Sequence, residues 1–323
     1  IDSELNKYGV DTVSGNNVFF IPPIKYKNQL IAANMNAEVI SFSLNNNTLN
    51  WSFSLRDDSF NKGANPWSSM SFDEIREEIY LVTGNPQGKL EGYMLGINRN
   101  GKNLYSNSIL CIDANNGKIK WYFQDISHDL WGLDLSFPPI LTSLFIDNLK
   151  IDVLVVVGKS GNTFILNREN GKSIHDYENI KVRKSNILRE NNSLFQKKSI
   201  FPNPLIEMEI KKNQLSNLSP EINKYVNEIF ETGESDYFLP PILNKKVFFR
   251  GLSGGGQWYG GVVDNNGILY VPINNIPWFS HLSLKNSSNK IFKYSDLETI
   301  KLNDDFFYQL TQGYFYDQFN NFA

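Results

Sequence analysis

Cysteine is almost missing from this 323-residue chain. One residue, Cys111, excludes an internal disulfide and any metal site built on several thiolates. The three histidines, His128, His175 and His281, are scattered, which argues against a His-rich zinc site. Long apolar runs are missing too. The longest purely aliphatic one, Val153 to Val157, is too short to cross a bilayer. Charge of one sign is not in excess: 31 Lys and Arg stand against 34 Asp and Glu, a formal net charge of -3. That balance speaks against a nucleic-acid partner, whose protein would carry a basic surplus. No alternation of strand and helix is visible, so a doubly wound parallel sheet is not expected. Ile1 opens the chain without a methionine or a leader-like segment, and the expectation is a piece of a longer protein or a mature form.

What is present is material for a β core. Hydrophobic residues make up 41% and aromatics 14%. Short runs rich in β-branched residues, bounded by Gly, Asn, Asp or Pro, read as strands: 29–33, 38–42, 78–82, 108–112, 152–157, 162–166 and 267–271. One hairpin recurs. Residues 108–121 give a strand, an Asn-Asn-Gly turn at Gly117 and a second strand containing Trp121. Residues 39–51 repeat the form, with Asn47 at the turn and Trp51 at the end; Asn is the best substitute for Gly in a left-handed turn. Residues 163–175 are a third copy, with His175 in the Trp place. Hairpins at such spacing, each tagged by an aromatic, predict propeller blades. Residues 172–245 are a polar, Lys/Asn-rich excursion. Inside it, Ser219-Pro220-Glu221 predicts a helix start, and Ile222, Val226, Ile229 and Phe230 follow at helical spacing, with Gly233 as the stop.

Two motifs fail on context. Gly96 to Lys102 fits the opening of a phosphate-binding loop, but Asn103 stands where Ser or Thr is required, and a strand follows instead of a helix. Gly251-Leu252-Ser253-Gly254-Gly255 has nucleophile-elbow spacing, yet residues 257–263 look extended. Its glycines suit a sharp turn or a close backbone approach.

Three stretches together carry a resemblance. They are Gly63-Ala64-Asn65-Pro66-Trp67 through Asn85-Pro86; Asn103 through Trp121 to Ser127-His128-Asp129-Leu130-Trp131-Gly132-Leu133-Asp134; and Gly254-Gly255-Gly256-Gln257-Trp258 to Asn274-Asn275-Ile276-Pro277-Trp278. Gly158-Lys159-Ser160-Gly161-Asn162 and Phe238-Leu239-Pro240-Pro241 add to it. The chain resembles the quinoprotein (PQQ-dependent) alcohol and sugar dehydrogenases, nearest the membrane glucose and quinate branch. The resemblance implies an all-β, quinoprotein-type β-propeller. The whole chain, 1–323, would then be a partial propeller of about four blades out of eight, with 172–245 as a loop and helix excursion.

The same resemblance implies the chemistry: oxidation of an alcohol, sugar or polyol hydroxyl with pyrroloquinoline quinone and Ca2+. Electrons would pass to a membrane quinone or a cytochrome, in or facing the periplasm, with any membrane attachment through a region outside this chain. Residue by residue, Trp67 corresponds to the indole against the quinone plane, Lys159 to the base-charged partner of the quinone oxygens, Asn274 to an amide near the reactive carbonyl, and Asn85 to a calcium ligand. Each has a plain alternative: a docking Trp, a hairpin Lys, a loop Asn, and a turn Asn before Pro86. Two departures stand out. The family's aspartate base falls at Gly132; Asp134, two residues on, is the catalytic candidate in its place beside Lys159, but in an extended strand it would lie about 7 Å away, too far to substitute without a rearranged loop. The family's second calcium acid falls in Ala32–Glu38, where Glu38 is the sole acid and is expected to begin a strand. The alternative function is therefore a propeller scaffold or binding protein that kept the architecture and lost the base. Trp51 and Trp121 are expected to dock neighbouring blades, Trp131 to fill a core, and His128 to pair with Asp129.

Overall fold

The computed structural model describes residues 19–56, 62–87, 95–97, 99–251, 253–286, 297–301 and 306–315. Strands β1 (Ile24–Tyr26), β2 (Gln29–Ala33), β3 (Glu38–Ser43) and β4 (Leu49–Ser54) form a four-stranded antiparallel sheet in sequence order. Glu38 begins β3, as expected, and accepts from the Asn34 side chain. The short β5 (Lys62–Gly63) pairs with β8 (Pro86–Gln87). A second four-stranded sheet combines β6 (Ser71–Asp73), β7 (Glu78–Val82), β9 (Ser108–Asp113) and β10 (Ile119–Gln124). Next come β11 (Ile140–Ile146), β12 (Leu149–Val157) and β13 (Thr163–Asn167), a three-stranded antiparallel sheet.

These sheets stack face to face. Alternation along β7 sends Ile79 and Leu81 to one side, where they meet Ile31 and Val39 of the first sheet. Tyr80 and Val82 point the other way, onto Leu154, Val156 and Phe164 of the third. The central sheet is thus covered on both faces, which is why its strands read as unbroken hydrophobic runs.

The recurring hairpin supplies the fastening. The Trp51 indole donates to Ala114 O at 3.3 Å and lies on Gly117; the Trp121 indole donates to Arg168 O at 2.8 Å and lies on Gly171. Each tryptophan therefore docks on the turn of the next sheet, as the repeat implied. Both glycines have φ near +70° (+72° and +69°), and a Cβ there would fall 2.4 and 2.5 Å from the indoles. The position demands glycine twice over, for its backbone and for its missing side chain.

The excursion holds more than a helix. It carries a hairpin of β14 (Tyr177–Lys181) and β15 (Phe195–Ser199) before helix α1 (Pro220–Phe230). Ser219 caps α1 through its side chain, and Ile222 and Val226 are buried beneath it. Gly233 does not close the helix, whose cap is Glu231; it enters β16 (Gly233–Glu234). A Cβ at Gly233 would sit 2.5 Å from both Lys246 O and the Phe248 ring, so the glycine serves the close parallel pairing with β17 (Lys246–Phe249). β17 joins β22 (Trp278–Asn286), β24 (Phe306–Tyr314) and β23 (Leu297–Lys301) in a five-stranded sheet. Two short pairs precede β22: β18 (Gly255–Gly256) with β21 (Ile273–Asn274), and β19 (Val262–Val263) with β20 (Leu269–Tyr270). The expected 267–271 strand shrinks to Leu269–Tyr270.

His128 does not pair with Asp129. Its Nε2 faces Glu190 Oε1 at 2.8 Å, both side chains buried, and its Nδ1 faces Gly101 O at 2.9 Å. The Asp129 carboxylate is instead taken by backbone N–H groups of its own loop.

The docking geometry gives a test. Gly171→Ala is expected to destabilise the protein by about 3 kcal/mol, combining left-handed strain with a clash against Trp121. Gly101→Ala, at φ +69° with open space around it, should lose only about 1–2 kcal/mol. Urea unfolding of the two variants reads the difference; equal losses would show that Trp121 contributes nothing to the docking.

Candidate functional site

The site begins at Gly84, between β7 and β8. Its N–H donates to Asn65 O at 2.8 Å, which ties the strand end to the 64–67 segment bearing Trp67. A Cβ on Gly84 would lie 2.6 Å from Trp67 Nε1 and 2.5 Å from Asp134 Oδ1. The indole and the carboxylate therefore meet over a residue that has no side chain. Next in sequence, the buried Asn85 donates its backbone N–H to Asp134 Oδ1 at 2.7 Å. Lys159 Nζ donates to the other oxygen, Oδ2, at 2.8 Å. Asp134 is 7% exposed and Lys159 8%, so the two charges answer one another with little help from water.

This places Asp134 in the site, against the expectation from an extended strand. The chain between Trp131 and Asp134 is a loop, not a strand: Gly132 has φ +69°. Asp129 shapes that loop. Its carboxylate accepts from Trp131 N at 2.8 Å, from Leu133 N at 2.7 Å and from Asn107 Nδ2 at 3.0 Å. Asn107 Nδ2 also donates to Leu133 O at 2.8 Å. Burial pushes the Asp129 carboxyl up, opposed by these bonds. Trp131 anchors the loop in a core, its indole donating to Leu239 O at 2.8 Å.

Lys159 rides on a turn after β12. Gly158 N donates to Asn162 O at 2.8 Å, and Gly161 N to Gly158 O at 3.0 Å. The glycine run near 255 makes the close approach anticipated for it. Gly255, at φ +59°, would put a Cβ 2.5 Å from both Gly158 O and Lys159 O, and Gly256 N donates to Gly158 O at 3.0 Å.

The charges and the indole line one cavity of about 460 Å³, together with Phe20, Ser136, Gln257 and Trp258. Trp67 is 41% exposed and presents its ring there; the Phe20 ring stands 6.5 Å from it, centroid to centroid, with planes 24° apart. Ser136 Oγ is buried in this wall with no hydrogen-bond partner among the described residues. The four additional lining residues gave little sequence signal. Phe20 precedes the first strand, Ser136 follows Asp134 by two places, and Gln257-Trp258 lies in the 254–278 stretch, where the resemblance gives it no role.

Of the sequence-proposed residues, Trp67, Asp134 and Lys159 come together at the cavity, with Asn85 behind them through its backbone. Asn274 is not in the cavity wall. Its residue pairs with Gly255, and its side-chain oxygen accepts from Tyr259 Oη at 3.3 Å.

The profile of the family described as "PQQ: Glucose/ethanol/alcohol dehydrogenase, beta-propeller domain" matches residues 21–320. The chain belongs to this family. It is 33% identical over 111 residues to the quinoprotein glucose dehydrogenase of Escherichia coli (strain K12), covering 34% of this chain and 13% of that one. It is 26% identical over 243 residues to the quinate/shikimate dehydrogenase (quinone) of Acinetobacter baylyi, covering 71% of this chain and 30% of that one. The crystal structure of quinohemoprotein alcohol dehydrogenase from Comamonas testosteroni superposes with a TM-score of 0.55 at 19% identity, over 85% of this chain and 39% of that one. That last likeness concerns the fold. The stacked sheets are those of a quinoprotein-type β-propeller, and the chain spans between 13% and 30% of the length of the two curated relatives.

Both implied groups can be held against the site. A flat conjugated acid suits an indole wall, a lysine, an unpartnered serine hydroxyl and a cavity within the range of small-ligand sites. Calcium fits poorly. It wants roughly six to eight oxygens. Among the described residues the cavity holds one carboxylate, Asp134, whose charge is already answered by Lys159, and no three His, Cys, Asp or Glu gather to hold a metal.

Gly84→Ala tests the convergence. The protein should fold with an unchanged far-UV circular dichroism spectrum, while tryptophan emission shifts as Trp67 is displaced. An unaltered emission spectrum would mean that Gly84 does not set the indole.

Proposed function

We propose that this chain contributes the quinone site of a dehydrogenase that oxidises an alcohol, sugar or polyol hydroxyl. The observation that carries the reading is the Asp134–Lys159 pair, 2.8 Å apart, beside an exposed indole in one cavity. Pyrroloquinoline quinone, when bound, supplies the two-electron acceptor chemistry. Trp67 offers it a flat face at small entropic loss. The Lys159 ammonium places positive charge at the cavity wall, where negative charge grows during reduction. Ser136 Oγ is free to donate to a ligand oxygen.

Asp134 serves as the general base. Each carboxylate oxygen can accept two hydrogen bonds, so the contacts to Asn85 N and Lys159 Nζ leave room for a substrate hydroxyl proton. Those two donors also hold the carboxylate in one orientation. Asn85, which the resemblance implies as a metal ligand, acts here through its backbone N–H on Asp134. The competing reading, a scaffold that lost its base, rests on the bare Gly132. A carboxylate delivered two residues later favours the enzyme over that reading. Electrons would leave for a membrane quinone or a cytochrome, and the compartment would be the periplasm or its membrane face. Among the described residues no helix is long and apolar enough to cross a membrane.

The test is a titration of the intact protein with pyrroloquinoline quinone, followed by tryptophan quenching, and then turnover with a dye acceptor over a panel of alcohols and sugars. Saturable quenching with turnover is expected. Asp134→Asn should lower kcat by roughly 10²- to 10⁴-fold while quenching still saturates. Binding without turnover in the parent protein would leave the scaffold reading standing; no quenching at all would remove the quinone site.

A further inference from the structure

The turn that presents Lys159 is held from behind by a carboxylate that the chemistry above does not use. Asp125, just after β10, is 1% exposed. Its Oδ2 accepts from Ser160 Oγ at 3.2 Å and its Oδ1 from Asn162 Nδ2 at 3.3 Å, one donor on each side of the turn. Gly158 has to be glycine for this, since a Cβ there would lie 2.5 Å from Asp125 Oδ2. The excursion closes the same turn from outside. Ser199 N donates to Asn162 Oδ1 at 3.0 Å, and Leu205 N to Gly161 O at 2.9 Å.

We propose that Asp125 is a positioning residue for Lys159: its ionised carboxylate draws Ser160 and Asn162 inward and so fixes the turn that aims the ammonium at Asp134. This rests on the quinone-site reading for its effect on activity, but the positioning itself does not.

Hydrogen bonds to an ionised acceptor are roughly twice as strong as those to a neutral one. Burial pushes the Asp125 carboxyl up to about 7, against the bonds from Asn162 and Ser160. Lys197 opposes the rise from the excursion strand β15, and Asp129 adds to it. Lys197 is itself lowered by burial; its ammonium donates to Gln124 O at 2.6 Å and faces Lys102. Tyr237, whose phenol donates to Lys197 O at 3.1 Å, is a further titratable neighbour, raised by burial and then by Asp125. The folded carboxyl thus titrates above its unfolded range. Its contribution to stability is present below about pH 4 and is lost as pH rises through about 7; above that pH the carboxyl is ionised and the turn is gripped most firmly. Grip and global stability therefore run in opposite directions with pH.

Asp125→Asn separates them. Amide exchange at 158–162, corrected for intrinsic rates, should be faster in the variant than in the parent at pH 8 and similar at pH 5.5. Thermal stability of the variant relative to the parent should improve over the same rise in pH. Pyrroloquinoline quinone should bind the parent roughly ten-fold more tightly at pH 8 than at pH 5.5, and the variant without that step. Ser160→Ala, which removes one donor and keeps the charge, should give a smaller loosening at pH 8; it also serves if Asp125→Asn does not fold. Unchanged exchange at 158–162 in whichever variant folds overturns the proposal, as does a pH step that survives in Asp125→Asn. Faster exchange in a protein that binds no quinone at any pH would support the positioning role and overturn the quinone reading instead.

Discussion

An ammonium and a carboxylate held 2.8 Å apart, both nearly out of water, are the constraint around which this end of the protein is arranged. Such a pair is unfavourable unless further hydrogen bonds complete it and the geometry is rigid. The chain meets that demand with backbone. Asn85 N–H takes the free oxygen of Asp134, and Asp129 gathers the N–H groups of Trp131 and Leu133 to shape the approach. The Lys159 turn is closed by Gly158 and Gly161 and gripped by Asp125. Two buried carboxylates stand behind the two paired charges, and both belong to the single segment between β10 and Asp134.

The stacked sheets explain why that segment can be so rigid. Trp51 and Trp121 each lock onto a turn of the next sheet, and the sheet between them is buried on both faces. Asn85 leaves β7 and Lys159 leaves β12, two strands that pack against one core through Val82, Leu154 and Val156. Loops mounted on neighbouring rigid strands can hold side chains to within a hydrogen bond's tolerance, which is what positioning chemistry requires. A cavity wall of Trp67, Phe20 and Trp258 then gives the charges a flat, apolar setting.

Much of this was legible in the residues, and what was not has a physical cause. The strands 29–33, 78–82 and 108–112 announced themselves through β-branched runs, and α1 through Ser219-Pro220. The docking tryptophans were visible because their hairpins repeat. Asp134 reaches the cavity through a rearranged loop, which strand spacing does not describe. The left-handed Gly132 and the Asp129 bonds that bend it are contacts no periodicity reports. The His128–Glu190 pair joins residues 62 positions apart, so a local partner, Asp129, was the natural but wrong choice. Gly233 looked like a helix stop because glycine commonly is one; here it makes room for a strand. Ser136 gave no sign at all, since an unpartnered hydroxyl exists only once a wall has formed around it.

The donor set also bears on how the site manages charge. Asp134 faces a lysine rather than a cluster of oxygens, so a divalent ion seeking that carboxylate would have to displace Lys159 or share the anion with it. A side-chain cation differs from a bound one in two respects. It is present at every ion concentration, and its position is set by the turn that bears it rather than by coordination geometry. The burden of precision therefore moves from ligand number to the backbone of 158–162. Ser160, Asn162, Ser199 and Gly256 all hydrogen-bond within or onto that turn, which is where a site that depends on one ammonium has to be stiff.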